Sequence, residues 1–258
     1  MFRVLVVVPF ALDEEGISKR RAQQHEVALS PDIEFEYRGV KAGPAWLDSH
    51  HDFLLADMAM FEAALSAQDE GYDAVCIDSM SDSGVDALRS VLDIPVIGPA
   101  KACYLAALQL GNKFGILTQW EPWTRAYAKS LQLYGLVEKC VSIRHIDTPP
   151  DVRNLLGGKA EDIFPRFVKE GLRCVDDGAE VIIMGSTTMH EAHDYLAKNL
   201  PVPIINPGPL SYKLVELFLA LGLTHSRITY PKPMVPKPDM AHAMLDAAYV
   251  AAAKELLQ

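Results

Sequence analysis

Short apolar runs alternate along this chain with longer stretches of helical periodicity. Strand-like runs cover Phe2 to Pro9, Ile33 to Arg38, Ala74 to Asp78, Val96 to Gly98, Phe114 to Thr118, Val141 to Ile146, Val181 to Met184 and Ile204 to Ile205. Between them, helices are predicted at about Asp52 to Glu70, Gly84 to Val91, Lys101 to Leu110, Trp123 to Tyr134, Ile163 to Asp177, Glu191 to Leu200, Leu210 to Leu221 and Pro238 to Leu257. Such alternation predicts α/β architecture built from βα units with mostly parallel sheets. In the last helix, Ala241, Met244, Ala248, Ala251 and Leu256 read as a packing stripe that returns to cover the start of the fold.

The pattern also repeats. Residues Gly71 to Ser79 (GYDAVCIDS) are echoed by Gly178 to Ser186 (GAEVIIMGS), each an apolar strand ending in serine. Small polar residues follow in both copies, then an amphipathic helix, then a short strand: Ile94 to Pro99 in one and Val202 to Pro207 in the other. The opening strand has its own counterpart in Phe114 to Thr118. The chain therefore divides into two pseudo-symmetric lobes, residues 1–98 with about 210–258 forming one and about 99–209 the other, with the active site in the cleft between them. Ser79 and Ser186 are symmetry mates at the carboxyl ends of strands, where ligands of open α/β sheets bind.

At 258 residues, with 50% hydrophobic and 22% charged residues, the chain is long enough for a substantial core. A net charge of -10 and the lack of a basic stripe argue against a nucleic-acid partner. The apolar N-terminal run is too short to span a membrane and lacks a signal-peptide pattern, which predicts a cytoplasmic protein without a membrane partner. The four cysteines, Cys76, Cys103, Cys140 and Cys174, have neither paired nor metal-binding spacing and read as reduced structural thiols. Four prolines between Thr229 and Pro238 predict an extended segment at the cleft or at a homo-oligomer interface.

Ser79, Ser81 and Ser83 with Ser186, Thr187 and Thr188 form a candidate cradle of hydroxyls and backbone N–H groups for a carboxylate, imide carbonyl or enolate. The plainer reading is that these residues cap the helices that follow, as Ser, Thr and Asp do at helix starts generally; the symmetric duplication favours a site. His190 and Asp82 are the titratable candidates for proton transfer, and His190 reads equally well as a first-turn capping residue. His190 and His193 make a His-x-x-His pair without a third ligand, so no metal is predicted. Asp78 reads either as a ligand-facing carboxylate or as one tied to backbone amides. Thr118, Pro9 and Phe10 stand at the mouths of the two opening strands as candidate pocket walls, and Trp120 and Trp123 read as interlobe packing.

On these paired strand-turn-helix motifs, with Asp82-x-Gly84 and the Pro95 to Gly98 and Pro203 to Ile205 strands, the chain resembles the Asp/Glu racemase superfamily, closest to its hydantoin and allantoin racemase branch. The resemblance covers nearly the whole chain. It implies cofactor-independent proton transfer at an acidic carbon of a small amino acid, carboxylate or hydantoin-like cyclic amide, with one cysteine from each lobe as a two-base pair. The matching positions here are Ser79 and Ser186. A thiol titrates near ~8.5 and is readily tuned, whereas a serine needs a partner to take its proton. Three accounts of this departure stand: an engineered inactive form, a natural branch whose hydroxyls bind the ligand while another group does the chemistry, or a serine nucleophile. Asp78, Met80 and His190 also differ from the small or apolar residues expected beside the cysteines, which favours a natural branch. The alternatives to a racemase are a decarboxylase or lyase, a cyclic-amide hydrolase with a serine activated by His190, and a non-catalytic ligand-binding protein.

Overall fold

Strands of two separate sheets emerge from the same repeated pattern of residues. The computed structural model describes residues 1–151 and 160–255. In the first half, β1 (Phe2–Val8) is followed by α1 (Glu14–Arg21), β2 (Ile33–Gly39), α2 (His50–Ala64), β3 (Ala74–Ile77), α3 (Val85–Val91), β4 (Val96–Ile97) and α4 (Pro99–Leu110). In the second, β5 (Phe114–Thr118) is followed by α5 (Thr124–Leu133), β6 (Cys140–His145), α6 (Ala160–Asp176), β7 (Val181–Met184), α7 (His193–Asn199), β8 (Ile204–Ile205), α8 (Pro207–Leu221) and α9 (Pro238–Glu255). The strand orders are β2-β1-β3-β4 and β6-β5-β7-β8, and every pairing is parallel.

Because parallel sheets covered on both faces bury both sides of each strand, Val4 to Val8, Ala74 to Ile77 and Val181 to Met184 are wholly buried. Equivalent backbone bonds end the two central strands: Asp78 N–H donates to Val7 O and Gly185 N–H to Leu117 O, both at 2.8 Å. The next residue in each sheet is the serine of the repeat. These mouths hold the candidate site.

Two helices exchange sheets. Following β4, α4 packs through Ala100, Cys103, Tyr104 and Ala107 against Phe114, Ile116, Val181 and Ile183 of the second sheet. Following β8, α8 packs through Tyr212 and Val215 against Val4, Val6, Ala74 and Cys76 of the first. Asp82, in left-handed backbone with φ 51°, directs its carboxylate to the N-terminus of α4. There it accepts the N–H groups of Ala100 at 2.8 Å and Lys101 at 3.0 Å and the Tyr134 hydroxyl at 2.9 Å. This satisfies two of the donors that a helix start leaves open.

Two expectations are corrected. The first is α1 and the 3-10 helix that follows it (Ala22–Glu26), which lie where no helix was expected. Asp13 caps α1 by accepting from Gly16 N–H, Glu14 and Glu15 sit in its first turn and Lys19 to Arg21 in its last, a charge order that suits the helix dipole without any apolar periodicity. The second is the packing face of α9. It meets α2 through Leu245 and through His242, whose Nδ1 lies 2.7 Å from Glu62, while Met244 and Ala248 are exposed. Leu256, also assigned to that stripe, lies outside the described residues. The proline-rich segment is fully exposed at Met234, and Lys232 within it and Arg227 just before it pair with Asp93, two residues beyond α3.

A Cβ at Gly98 would stand 2.6 Å from the Asp82 carboxylate, so Gly98→Ala must displace the cap of α4. Urea unfolding should show a loss of about 1–3 kcal/mol, the usual cost of overpacking.

Candidate active site

The mouths of the two central strands face one another across a small inner cavity. Ser79, Met80 and Asp78 line it from the first sheet, and Gly185, Ser186, Thr187 and Thr188 from the second, with about 40 Å³ of free volume between them. Pro9, Phe10, Leu47, Phe53, Trp123 and Tyr127 supply further walls, with Arg20, Ser81 and Ala126. An outer cavity of about 340 Å³ lies between α2 and α3 on one side and α5 on the other, and the two cavities share Phe53, Ser81 and Ala126. The inner one holds only a few waters on the order of 10–15 Å³ each, so a larger ligand requires the walls to part.

Both serines have matching surroundings. The Ser79 hydroxyl is 2.8 Å from that of Ser81, and the Ser186 hydroxyl is 2.8 Å from that of Thr188. Each serine oxygen also accepts a backbone N–H two residues on, from Ser81 at 3.4 Å and from Thr188 at 3.2 Å. In the second lobe this is a helix cap, Ser186 preceding the 3-10 helix Thr187–Ala192. In the first it is not, because α3 starts after Gly84 without a side-chain cap.

Charge enters the cavity through Arg20. Its guanidinium and the Asp78 carboxylate are each 1% exposed, with Nη1 to Oδ2 at 3.3 Å. Arg20 Nη1 also donates to the Thr187 hydroxyl at 3.1 Å, and that hydroxyl donates to the Asp78 carbonyl at 3.2 Å. Gln23 Nε2 donates to the Arg20 carbonyl and to Asp78 Oδ1. Burial pushes the Asp78 carboxyl above its usual range, and the Arg20 charge and the Gln23 bond partly offset this. Two buried N–H donors of lining residues, Arg20 Nε and Trp123 Nε1, have no partner within the protein. Buried donors are seldom left so.

The cavity thus gathers Ser79, Ser81, Ser186, Thr187, Thr188, Pro9 and Phe10, and the Asp78 carboxylate beside it is held by the side chains of Arg20 and Gln23 rather than by backbone amides. Four other expected site residues lie outside its lining. Asp82 has both oxygens engaged in capping α4. His190 is buried behind the wall with Nδ1 on the Glu26 carboxylate. Thr118 is fully buried, its hydroxyl 3.0 Å from that of Tyr127. Ser83 lines the outer cavity and reaches the inner one only through Ser81. Trp120 packs on Trp46 of the first lobe with ring centroids 5.6 Å apart, as expected of interlobe packing, whereas Trp123 faces the cavity. Arg20, Gln23 and Tyr127 were missed; only the acidic-to-basic order of α1 could have drawn attention to Arg20. Among the described residues, no group of three or more His, Cys, Asp or Glu is placed to hold a metal ion, and no helix is long and apolar enough to cross a membrane.

The sequence pattern of the Asp/Glu/Hydantoin racemase family matches residues 17–215, which take in both strand mouths. The chain belongs to that family. It is 31% identical over 224 residues to a hydantoin racemase of Pseudomonas sp. (strain NS671), covering 86% of this chain and 85% of that one. The structure of an allantoin racemase from Klebsiella pneumoniae superposes with a TM-score of 0.82 at 26% identity, over 92% of this chain and 95% of the other. A glutamate racemase isoform from Bacillus anthracis shares the fold, with a TM-score of 0.62 at 18% identity over 86% and 83% of the two chains. This member of the Asp/Glu/Hydantoin racemase family is accordingly a racemase-type isomerase with two parallel four-stranded sheets.

Removing Arg20 from this racemase-type site would leave Asp78 as an unpaired buried charge. Arg20→Gln should cost about 3–5 kcal/mol at neutral pH. A carboxyl whose native pKa lies above its unfolded one binds more protons in the folded state, so stability falls as pH rises between the two values. The deficit of Arg20→Gln should therefore shrink as pH is lowered through the native Asp78 titration, which denaturant melts at a series of pH values would measure.

Proposed function

We propose that the enzyme moves a proton at an acidic carbon of a small cyclic amide or carboxylate, hydantoin-like or amino-acid-like, without a cofactor. Ser79 and Ser186 stand in this reading where the family's paired cysteines do, and they contact the substrate from opposite lobes. The observation that carries it is the pair of unpartnered buried donors, Arg20 Nε and Trp123 Nε1, on residues that line one cavity with both serines. A ligand rich in acceptor oxygens, such as an imide or a carboxylate, supplies what these donors lack.

Removing a proton next to a carbonyl leaves negative charge on its oxygen, and fixed donors in a water-poor site stabilise that charge without reorganising. Arg20 brings a full positive charge to that task, although part of its field is spent on Asp78. The serine hydroxyls and the N–H groups behind them add dipoles on both faces of the substrate. Asp82, which lines only the outer cavity with its carboxylate capping α4, and His190, which lines neither, take no direct part. The same reading puts the enzyme in the cytoplasm, with a small-molecule substrate, no nucleic-acid partner and room for a homo-oligomer.

Proton NMR in deuterated water with allantoin, 5-substituted hydantoins, aspartate, glutamate and arylmalonates tests the proposal. Loss of an α-proton signal without a new compound is the expected result, and Arg20→Gln or a serine-to-alanine change at position 79 should slow it by about 10²-fold or more. A new product would instead assign a lyase or hydrolase. Unchanged spectra would remove the proton-transfer reading for these substrate classes.

A further inference from the structure

Proton transfer at both faces of one carbon constrains where the rest of the substrate can lie. The enolate left when the C–H bond breaks is planar, and the substituent of the reacting carbon lies in its plane. With Ser79 and Ser186 approaching from opposite lobes, the direction left for that substituent is along the gap between them. The inner cavity, at about 40 Å³, has no room for it. The outer cavity, at about 340 Å³, does, and it lies in that gap, with α2 and α3 as its wall on the first lobe and α5 on the second. Held there, a substituent stays in place while hydrogen leaves one face of the carbon and arrives at the other.

The passage between the cavities is lined by Phe53, Ser81 and Ala126, which belong to both. Ala126 is the smallest of the three, so any larger side chain at that position narrows the neck.

The walls of the outer cavity define what it can hold. Phe53, Asp57 and Phe61 recur every four residues along α2 and share one helix face, which sets a carboxylate one turn from an aromatic ring on either side. Val85 of α3 and Leu133 of α5 add apolar surface. Asp57 is half-buried in this setting, its Oδ1 accepting the Gly84 N–H at 3.2 Å. No Lys, Arg or His nitrogen among the described residues comes within 4.0 Å of its carboxylate. Burial pushes the Asp57 carboxyl above its usual range, and a cation placed beside it would offset that penalty.

The other charges of the lining point the same way. Asp82 is committed to α4 and Asp86 pairs with Arg89 at 3.5 Å, while Lys129 is the one cation in the wall. A carboxylate tail would meet three carboxylates there. An ammonium on an apolar stem would instead meet the counter-charge it needs. Asp57 lies one turn, about 6 Å, along α2 from Phe53 at the neck, a distance that a stem of four methylenes spans.

We propose that the outer cavity is the side-chain pocket of the enzyme, shaped for a tail with an apolar stem and a cationic end, with Ala126 admitting the tail and Asp57 selecting its charge. Resting on the proposed function above, this names a substrate class within it: hydantoin-type cyclic amides whose reacting carbon carries an aminoalkyl group.

The test measures kcat/KM for α-proton washout in deuterated water, above the uncatalysed rate, on hydantoins carrying a methyl, pentyl, aminobutyl or carboxypropyl group at the reacting carbon. The wild type should favour aminobutyl over its pentyl isostere by about tenfold or more, the worth of a charge-assisted bond, and should place carboxypropyl last of the long tails. In Asp57→Asn the ratio of aminobutyl to pentyl should fall to near unity. Lys129 is exposed, and Lys129→Gln, which removes the repulsion, should raise that ratio; it decides the matter if Asp57→Asn does not fold. Ala126→Leu should cost each long-tailed substrate about tenfold more than it costs the methyl one. A pentyl substrate that equals or exceeds the aminobutyl one, or a ratio unmoved by Asp57→Asn or, should that variant not fold, by Lys129→Gln, would overturn the charge selection. Equal losses for all four substrates in Ala126→Leu would overturn the placement of the tail. Each of these leaves the proposed function standing, whereas no washout from the wild type with these or the earlier substrates would overturn both.

Discussion

A guanidinium held out of water against a carboxylate sets the terms for this site. Stripping Arg20 and Asp78 of solvent costs several kcal/mol per ion, and their attraction offsets it only when the remaining polar atoms find partners. The pair meets this condition only in part: Asp78 Oδ1 accepts from Gln23 and the Arg20 head group bonds to Thr187 at the other strand mouth, while Arg20 Nε and Asp78 Oδ2 have no hydrogen-bond partner within the protein. The result is a rivet between lobes, because the Thr187 hydroxyl in turn reaches the Asp78 carbonyl. Close packing around it leaves little tolerance; a Cβ at Gly208 would fall 2.1 Å from the Gln23 side-chain oxygen. The first turn of α8, the 3-10 helix that carries Gln23 and both strand ends are thus positioned by one ion pair.

What could be read from the sequence and what could not divide along the same physical line. The runs Phe114 to Thr118, Val181 to Met184 and Ile204 to Ile205 predict strands at the observed bounds, since a strand buried on both faces leaves a continuous apolar run. The duplication pointed to Ser79 and Ser186 because equivalent residues follow equivalent strands. In contrast, α1 has no apolar face, and its most buried large side chain is an arginine, so a search for hydrophobic periodicity passes over it. Asp82 was read as a proton-transfer group for its place after the first motif, yet its carboxylate serves a helix that begins seventeen residues later; capping across such a distance leaves no local signature. The packing face of α9 went astray for a related reason, because alanines spaced at helical intervals cannot tell a buried stripe from an exposed one.

The two halves of the site keep their backbone symmetry and differ in chemistry. In the first, Asp78 puts a carboxylate beside the serine, and in the second Gly185 occupies the corresponding position. Adding a side chain at Gly185 would bring it within 3.0 Å of Thr118 and Tyr127, and the Tyr127 hydroxyl bonds to the Gly185 carbonyl. One strand mouth is therefore charged and the other is sealed by buried hydroxyls. A substrate between them meets unlike walls, and any symmetric proton chemistry has to work across an asymmetric field.

The exchange of α4 and α8 between sheets has a consequence for how such a chain could arise. Each half, taken as strands followed by its closing helix, covers one face of its sheet with its own helices and carries the helix that covers the other face of its sister's. A single half would leave one face of its sheet bare, but two copies could complete each other by trading C-terminal helices. The present chain is, in form, a domain-swapped dimer with its two subunits joined end to end. Fusion of this kind frees each copy to mutate alone, which is the circumstance under which Ser83 and His190 could come to differ at corresponding positions.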